Sequence, residues 1–270
     1  MDASAIVVIP TYKADLSAAE QISLTQSRRI LGGHAFTFIA PDGLVLQHPE
    51  AKDIPYRYFD AAYFKGIDGY NQLLLSREFY DAFADHTYLL IAQLDTFVFT
   101  DRLQYWCGLG YDYIGAPWRF DMTAFVKWPQ LFPFSYRHHV LSPLKLLTGK
   151  RYLVGNGGFS LRNADTARRI LHDNPHLVPR FQDEAERNLL TNDGHKSMLN
   201  EDLFWALYVP QHVQPYRVPT YRRALQFAFE VDPVACYTDN RQQLPFGCHA
   251  WETHGLDFWR PFIKAYGHDF

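Results

Sequence analysis

The alternation of hydrophobic and polar positions divides the first part of the chain into strands and helices in turn. The apolar run AIVVIP, stopped by Pro10, predicts a short strand. Ser17 and Glu20 form a capping box that opens a helix, and Gly32 with Gly33 can end it. A second apolar run, HAFTFIAPDG, predicts a strand that leads into a turn.

The same order continues to about residue 100. The segment YNQLLLSREFYDAF, from Tyr70 to Phe83, has the apolar spacing of a helix, and TYLLIAQLDTFVF predicts an inner strand. This β-α-β-α-β order predicts an α/β fold with a mostly parallel central sheet flanked by helices. In such sheets ligands bind beyond the carboxyl ends of the strands.

The C-terminal half is less regular. The segment YLVGNGGFSLRN precedes a helix that we expect from about Ala164 to His172, and NEDLFWALYV predicts another helix with Asn200 as its cap. The chain has no internal repeat, low-complexity tract or clear linker. Residues 1–270 are therefore expected to form a single domain.

Composition and charge narrow the class of protein. Hydrophobic residues make up 47% of the chain and aromatic residues 16%, which is ample for a large core. The apolar runs are far shorter than the roughly 20 residues of a bilayer span, and no basic region followed by an apolar stretch opens the chain. Three cysteines without a CxxC pattern argue against a disulfide framework or a structural zinc site, so we expect a cytoplasmic protein. The net charge of -3 gives no reason to expect nucleic-acid binding.

One stretch departs from this average. Between Arg119 and Arg151 six basic residues stand against the single acid Asp121, and many aromatic residues occur there without a clear period. We expect a functional flap at about residues 119–151. The alternative is an aromatic excursion that packs on the core.

An ionisable side chain interrupts the apolar run LLIAQLDTFVFTD. A buried carboxylate without compensation costs several kcal/mol, so Asp95 needs a partner. Gln93 and Asp95 share a face if the strand continues that far. A divalent metal, with a ribose or diphosphate held through it, would compensate the charge; the alternative is that Asp95 bonds to a local turn where the strand ends.

Three later motifs also carry polar groups that suit a ligand site. In VGNGGFSLRN, Asn156 can bond a sugar hydroxyl, and the two glycines after it permit a close approach; a tight turn or bulge is the alternative. In NEDLFW the two acids either favour a helix start or include a base that takes a proton from a hydroxyl. In PFGCHAWE, His249 is either a packing residue or the imidazole that completes an oxygen-rich metal site.

The order of the segments VVIPTYK, YLLIAQLDTFVF, GYDYIGAPW, VGNGGFSLRN, NEDLFW, FAFE and LPFGCHAWE resembles an uncharacterised bacterial family considered glycosyltransferase-like, over roughly Ile6 to Glu252. More distantly it is similar to nucleotide-sugar glycosyltransferases of the GT-A fold. The wider resemblance implies a single GT-A-like α/β domain of Rossmann type, a nucleotide-diphosphate sugar donor and a divalent metal, Mn²⁺ or Mg²⁺, held by a DxD motif.

The same resemblance implies roles for individual residues. Asp202 is the first candidate for the catalytic base of an inverting reaction and Glu201 the second, while Asp95 and His249 would hold the metal. The nucleotide-sugar site that it implies consists of Thr11, Tyr12, Asp42, Lys65, Gln93, Asp95, Asn156, Gly157 and Gly158. Lys65 is placed there as a phosphate contact, with a solvated surface lysine as the alternative.

The chain departs from the DxD motif, because Gln93-Leu94-Asp95 contains only one of the two acids. If Asp95 is the first acid, Phe97 replaces the second; if it is the second, Gln93 replaces the first. The apolar continuation TFVFTD favours the second register, with Asp95 as the metal ligand. The chain is thus interpreted as a hexosyltransferase that moves a sugar, most simply from a UDP-sugar, to a hydroxyl of a glycan or glycoconjugate. In this interpretation the flap at about residues 119–151 contacts an anionic or lipid-linked glycan acceptor at the inner face of the membrane. A sugar-nucleotide hydrolase or nucleotidyltransferase and a non-catalytic carbohydrate-binding protein are the alternatives.

Overall fold

Strands and helices alternate along the N-terminal part of the chain, as the hydrophobic pattern predicts. The computed structural model describes residues 4–118, 153–191 and 200–269, so the predicted flap at about 119–151 lies outside the described residues. The strands are β1 (Ala5–Pro10), β2 (Ala35–Pro41), β3 (Tyr56–Phe59), β4 (Tyr88–Ala92), β5 (Phe97–Val98), β6 (Tyr113–Ile114), β7 (Pro117–Trp118), β8 (Leu153–Val154), β9 (Phe159–Asn163), β10 (Ala228–Phe229) and β11 (Gly247–Cys248). The α-helices are α1 (Ala18–Leu31), α2 (Gly66–Leu74), α3 (Arg77–Asp81), α4 (Leu103–Gly108), α5 (Ala164–Asp173), α6 (Leu177–Thr191), α7 (Glu201–Leu203), α8 (Val209–His212), α9 (Tyr221–Phe227), α10 (Pro233–Asp239) and α11 (Leu256–Ala265), with short 3-10 turns at Pro49–Ala51 and Ala61–Phe64.

The central sheet has six strands in the order β3-β2-β1-β4-β9-β6. β1 pairs in parallel with both β2 and β4, and β2 pairs in parallel with β3. β9 pairs antiparallel with β4 and with β6. The predicted mostly parallel α/β sheet is therefore confirmed, with an antiparallel extension on one side. Two small sheets, β10-β11-β5 and β7-β8, accompany it.

The inner strands are apolar throughout because both faces of the sheet are covered. Along β1, Ile6 and Val8 pack into one hydrophobic cluster, while Val7 and Ile9 pack into the cluster on the opposite face. Burying each such side chain contributes about 1.5–3 kcal/mol. In the part of the chain that the structure covers, no helix is both long and apolar enough to cross a membrane.

The predicted capping box of α1 is present. The Ser17 hydroxyl accepts a hydrogen bond from the Glu20 amide at 3.3 Å, and the Ser17 amide donates to the Glu20 carboxylate at 2.7 Å. These bonds satisfy two of the amides that a helix start leaves without partners. Gly32 follows the last residue of the helix, also as predicted.

The segment from Tyr70 to Phe83 differs from its prediction, because it forms parts of two helices rather than one. α2 begins four residues earlier, at Gly66, and ends at Leu74. Ser76 then starts α3 by accepting a hydrogen bond from the Phe79 amide at 3.1 Å. A serine that bonds the backbone competes with helix continuation, and this explains the break.

The helix predicted in NEDLFWALYV is also interrupted. α7 covers only Glu201–Leu203, the next turn is π-helical over Phe204–Tyr208, and α8 follows. Pro210 lies in the first turn of α8 and has no amide hydrogen to donate to the carbonyl four residues earlier. The wider turn lies directly after the acidic pair, where such distortions often accompany functional sites.

Candidate functional site

A cleft of about 710 Å³ lies where β1 and β4 end. Thr11 and Tyr12 follow β1, and Gln93 and Asp95 follow β4, so the carboxyl ends of two adjacent parallel strands form one wall. The other walls come from the turn before β9, the start of α7, and the segment after β11. The lining residues are Pro10, Thr11, Tyr12, Lys13, Glu20, Phe64, Gly66, Ile67, Tyr70, Asn71, Gln93, Leu94, Asp95, Asn156, Gly157, Gly158, Asn200, Glu201, Asp202, Glu230 and His249.

All of the site residues predicted from the sequence line this cleft except Asp42 and Lys65. Asp42 is exposed in the turn after β2. Lys65 is exposed at the start of α2, while its neighbours Phe64 and Gly66 reach the cleft wall. The structure thus brings ten residues of five separate motifs, from Thr11 to His249, into contact with one space.

His249 lies between acidic and amide groups at one end of the cleft. Its Nε2 is 3.2 Å from Asp95 Oδ1 and 3.1 Å from Gln93 Oε1, and its Nδ1 is 3.1 Å from Glu230 Oε1. Burial alone would lower the pKa of His249, but Asp95 and Glu230 raise this pKa to about 10. Burial likewise opposes ionisation of Asp95, and His249 nevertheless holds its pKa below the ordinary value.

The strand assumed for Gln93 and Asp95 does not continue that far. β4 ends at Ala92, and a turn follows in which the Thr96 amide donates to the Gln93 carbonyl at 3.0 Å. The turn still directs both side chains to the same imidazole nitrogen. Because it lies at the mouth of the cleft, Asp95 is half-buried, and ion pairing with His249 compensates its charge.

These groups form a donor set that suits a hard divalent cation once the cation has displaced the proton of His249 Nε2. Two side-chain oxygens and one imidazole nitrogen converge, and Mg²⁺ and Mn²⁺ accept such ligands while taking the rest of their coordination from water and phosphate oxygens. The second nitrogen of His249 is held by Glu230, as is usual for metal-ligating histidines. Within the described ranges, no three His, Cys, Asp or Glu side chains are arranged as a complete metal site.

The two glycines after Asn156 are required by the close approach of opposite walls. A Cβ atom added to Gly157 would overlap with the carboxylate of Glu201, and one added to Gly158 would overlap with the ring of His249. Asn156 fixes the turn, since its Oδ1 accepts a hydrogen bond from the Gly158 amide at 3.0 Å. The two glycines therefore lie between the acidic pair and His249, in close contact with both.

The two acids of NEDLFW differ in their surroundings. Glu201 is buried, and both of its carboxylate oxygens accept hydrogen bonds at 2.7 Å from the guanidinium of Arg162. Asp202 Oδ1 is buried in the cleft wall without a hydrogen-bond partner among the residues that the structure describes. Burial, Glu201 and Glu230 raise the pKa of Asp202 to about 8. A pKa near neutrality suits proton transfer, so the geometry favours Asp202 over Glu201 as the base.

Comparison with models of protein families shows which family the chain belongs to. Residues 53–249 match the model of a protein family of unknown function, DUF5672. The chain belongs to the DUF5672 family. The matched range includes Asp95, both glycines and the acidic pair, and it ends at His249. Comparison of the DUF5672 chain with curated proteins gave no match.

Solved structures with a similar fold are glycosyltransferases. Galactosyltransferase LgtC, in complex with donor and acceptor sugar analogues, is 16% identical to the DUF5672 chain, with a TM-score of 0.51 over 96% of this chain and 95% of that one. Mouse xyloside xylosyltransferase 1, in its apo form, is 11% identical, with a TM-score of 0.51 over 90% of this chain and 96% of that one. The DUF5672 chain therefore has a GT-A-like α/β fold.

Several residues of the cleft were not predicted from the DUF5672 sequence. Glu230 directly follows β10, in the segment FAFE, and its position after a strand is the one local signal that it offers. Tyr70 and Asn71 line the cleft from α2, where their spacing predicts only a helix. Arg162 lies in β9 and is 1% exposed. Its pairing with Glu201, 39 positions away, has no local signal.

Carboxylates outnumber basic groups in the wall of the DUF5672 cleft. The acids are Glu20, Asp95, Glu201, Asp202 and Glu230, and the basic residues are Lys13 and His249. Lys13 is paired with Glu20 at 2.7 Å, and Glu201 is paired with the buried Arg162 beneath the wall. A bound diphosphate would therefore meet a negative surface unless a cation accompanied it.

Proposed function

We propose that this protein is a glycosyltransferase that moves a sugar from a nucleotide-diphosphate sugar to a hydroxyl of a glycan or glycoconjugate. The observation that carries the proposal is that Asp95, Asp202 and His249 line one cleft at the carboxyl ends of β1 and β4. The fold supports it, since LgtC binds both donor and acceptor sugar analogues. A UDP-sugar is the first donor to test.

The nucleotide would bind beyond β1. Tyr12 is 67% exposed at the cleft wall, so its ring offers a free face on which a base can stack. The Thr11 side chain is buried and donates to the Lys13 carbonyl at 3.1 Å, so Thr11 would shape the chain rather than bond the ligand through its hydroxyl. Asp42 and Lys65 have no place in this arrangement.

The diphosphate would bind at the His249 end together with a divalent cation. Asp95, Gln93 and His249 would hold the cation, which when bound neutralises charge that develops on the departing diphosphate. The excess of carboxylates in the wall favours this arrangement, because the diphosphate is itself anionic. Glu230 would keep the His249 ring oriented through Nδ1.

Asp202 would act on the acceptor. In the proposed step its carboxylate accepts the proton of the acceptor hydroxyl while the oxygen of that hydroxyl forms a bond to the anomeric carbon. The bond from the anomeric carbon to the diphosphate oxygen breaks, and its electron pair leaves with the nucleoside diphosphate. Attack opposite the leaving group inverts the anomeric configuration. Asp202 suits the role because its buried Oδ1 has no partner in the described structure.

A nucleotide-sugar screen tests the proposal. Thermal shifts with UDP-sugars and other nucleotide sugars are recorded with Mn²⁺ and with EDTA, and any stabilising donor is then incubated with saccharide acceptors. We expect one class of donor to stabilise the protein in a metal-dependent manner and to yield a glycosylated product of inverted configuration by NMR. Free sugar without acceptor product would favour a hydrolase, and a nucleotidyl adduct would favour a nucleotidyltransferase. Saccharide binding without turnover under any metal would favour a binding protein.

Two further predictions concern the setting of this reaction. Peripheral membrane contact through residues 119–151 stays a prediction, since those residues lie outside the described structure. Co-sedimentation with anionic liposomes tests it: salt-sensitive binding is expected, and absence of binding contradicts it. The cytoplasmic location likewise stays a prediction, to be tested by cell fractionation.

A further inference from the structure

An arginine buried beneath the cleft connects two of its walls. Arg162, in β9, places its guanidinium over the ring of Tyr113 at 5.2 Å and donates to the Tyr80 hydroxyl at 3.3 Å. Both terminal nitrogens donate to Glu201 at 2.7 Å. This bidentate pairing fixes the plane of the carboxylate as well as its position.

The same arginine also reaches the glycine turn. Its Nε donates to the Ser160 hydroxyl at 3.1 Å, and that hydroxyl donates to the Gly157 carbonyl at 2.8 Å. Tyr113, under the guanidinium, donates to the Gly155 carbonyl at 2.7 Å. The backbone before β9 is therefore bonded to groups that themselves contact Arg162.

The walls that Arg162 connects face each other without a gap. Gly157 lies so close to Glu201 that an added Cβ would overlap with its carboxylate, and the same Cβ would be 3.4 Å from Asp202 Cβ. The Glu201 amide donates to Asn71 at 3.1 Å, which attaches the start of α7 to α2. The position of Asp202 thus depends on contacts made by its neighbour Glu201.

The contribution of the buried ion pair to protein stability does not by itself explain why Arg162 and Glu201 are both charged. Removing one member of a buried ion pair is strongly destabilising, yet replacing both with apolar groups of similar volume is often neutral. The pair has an electrostatic consequence instead: Arg162 neutralises Glu201, so that Asp202 is the unneutralised member of the acidic motif.

We propose that Arg162 is a positioning residue for the transfer reaction, which acts through Glu201 on Asp202 and through Ser160 on the Gly157 turn. The inference rests on the proposed function, since it assigns Arg162 to the same site. Arg162 touches neither donor nor acceptor in this account. Its removal should therefore change kcat more than the KM for the donor.

The test uses four variants and one control. Arg162→Lys keeps the charge without the bidentate geometry, Arg162→Met leaves Glu201 unpaired, and Glu201→Gln leaves Arg162 unpaired. The double variant Arg162→Met with Glu201→Leu removes the buried charges together and should fold with nearly wild-type stability. Arg168→Met, which removes an exposed ion pair with Asp165, is the matched control and should behave as wild type.

In the double variant we expect kcat to fall about 100-fold while the donor KM stays within about threefold, because misplacement of a reacting group costs rate more than binding. We expect Arg162→Lys to fall between the double variant and wild type. A double variant with both wild-type kcat and wild-type stability would overturn the positioning role and show that Arg162 has only a structural role.

The pH dependence of kcat supplies a readout that a structural role would not move. The charged groups that act on Asp202 are Glu201 on its own helix, Glu230 after β10 and Arg162 from β9. Glu201→Gln should move the acidic limb of the profile to lower pH by about one unit, because the positive charge of Arg162 is then unopposed. An unchanged limb in a folded Glu201→Gln protein would contradict the proposal.

Hydrogen exchange tests the connection without any substrate. We expect amides of residues 155–158 and 200–203 to exchange at least about tenfold faster in the double variant than in wild type, with α1 and β1 unchanged. Unchanged exchange in both segments would overturn the role of Arg162. Absence of turnover in the wild-type protein would instead overturn the proposed function, while the exchange result still decides whether Arg162 holds the two walls together.

Discussion

The ion-paired side chains at the two ends of the cleft differ in their exposure to solvent. At the His249 end the ion-paired groups border the open cleft, and the Asp95 side chain remains 41% exposed. At the acidic end the pair of Arg162 and Glu201 is almost completely buried, with exposures of 1% and 4% for the two side chains. Next to that buried pair lies Asp202, whose Oδ1 lacks a partner in the described structure.

The difference indicates a division of labour. The contact between His249 and the partly exposed Asp95 is weaker than a fully buried one, so it can be exchanged for contacts with a ligand and its cation. Buried bidentate contacts are not exchanged without a large cost, so they hold geometry instead. We therefore propose that the diphosphate binds at the His249 end and that proton transfer takes place at the end where Asp202 lies beside the buried pair.

The largest expected effect comes from removing the proposed base. Asp202→Asn keeps the shape of the side chain but cannot accept the proton, so kcat should fall roughly 1,000-fold with the fold intact. Turnover with the identified donor and circular dichroism measure the two quantities. Asp173→Asn, at the exposed end of α5, is the control and should retain full activity. Comparable activity in both variants would remove Asp202 from the mechanism.

The next largest effect is expected where the glycine turn contacts the ring of His249 in the cleft. Gly158→Ala should displace the His249 ring, because the added methyl group overlaps with it, and should reduce stability by about 1–3 kcal/mol and activity more than about tenfold. Gly108→Ala, where nothing lies within 4 Å of the added atom, is the control. If chemical denaturation and kinetics give the same result for both alanines, the glycine turn does not need to approach His249.

A smaller effect is expected at the nucleotide wall. Tyr12→Ala removes the exposed ring and should raise the donor KM about tenfold with kcat nearly unchanged, the usual size of a lost base-stacking contact. Tyr58→Ala removes another exposed tyrosine, on β3 outside the cleft, and should leave the KM unchanged. A kcat effect at Tyr12 without a KM effect would place the nucleotide elsewhere.

The smallest effect concerns stability as a function of pH. The pKa of Asp202 is about 8 in the folded protein, above the ordinary 3.8, so the native state binds this proton more tightly than the unfolded state. Its contribution therefore lowers the free energy of unfolding as pH rises from about 4 to 8. Asp202→Asn should remove that loss, so the excess of its free energy of unfolding over that of wild type should be larger at pH 9 than at pH 5. Urea unfolding at pH 5 and pH 9 measures this, and an equal difference at both would contradict the raised pKa.

Local patterns predicted the sheet because it depends on short-range features, while the family resemblance implied most of the cleft residues. The apolar runs of β1, β2 and β4, the capping box at Ser17 and the helix after Asn163 follow from residues close in sequence. Polar motifs that follow strands of an α/β sheet meet at one edge. This explains why residues as distant as Tyr12 and His249 share a cleft.

The remainder depends on contacts that no local pattern contains. The strand expected through Asp95 ends at Ala92, because the Gln93 carbonyl accepts a hydrogen bond from the Thr96 amide in a turn instead of continuing the ladder. Lys65 and Asp42, which the resemblance also implied, are exposed and do not line the cleft. In the sequence Arg162 is an ordinary position of a strand with alternating pattern. Its burial is possible because Glu201, from the distant helix α7, pairs with it.

Calorimetric titration with nucleoside diphosphates tests the division of labour most directly. Wild type, Asp95→Ala and Asp202→Asn are each titrated with Mn²⁺ and with EDTA. We predict that wild type binds one nucleoside diphosphate at least about tenfold more tightly with Mn²⁺ than with EDTA. We expect Asp95→Ala to lose this gain in affinity and Asp202→Asn to keep it. Equal affinity with Mn²⁺ and EDTA in wild type, or loss of the gain in Asp202→Asn with retention in Asp95→Ala, would contradict it.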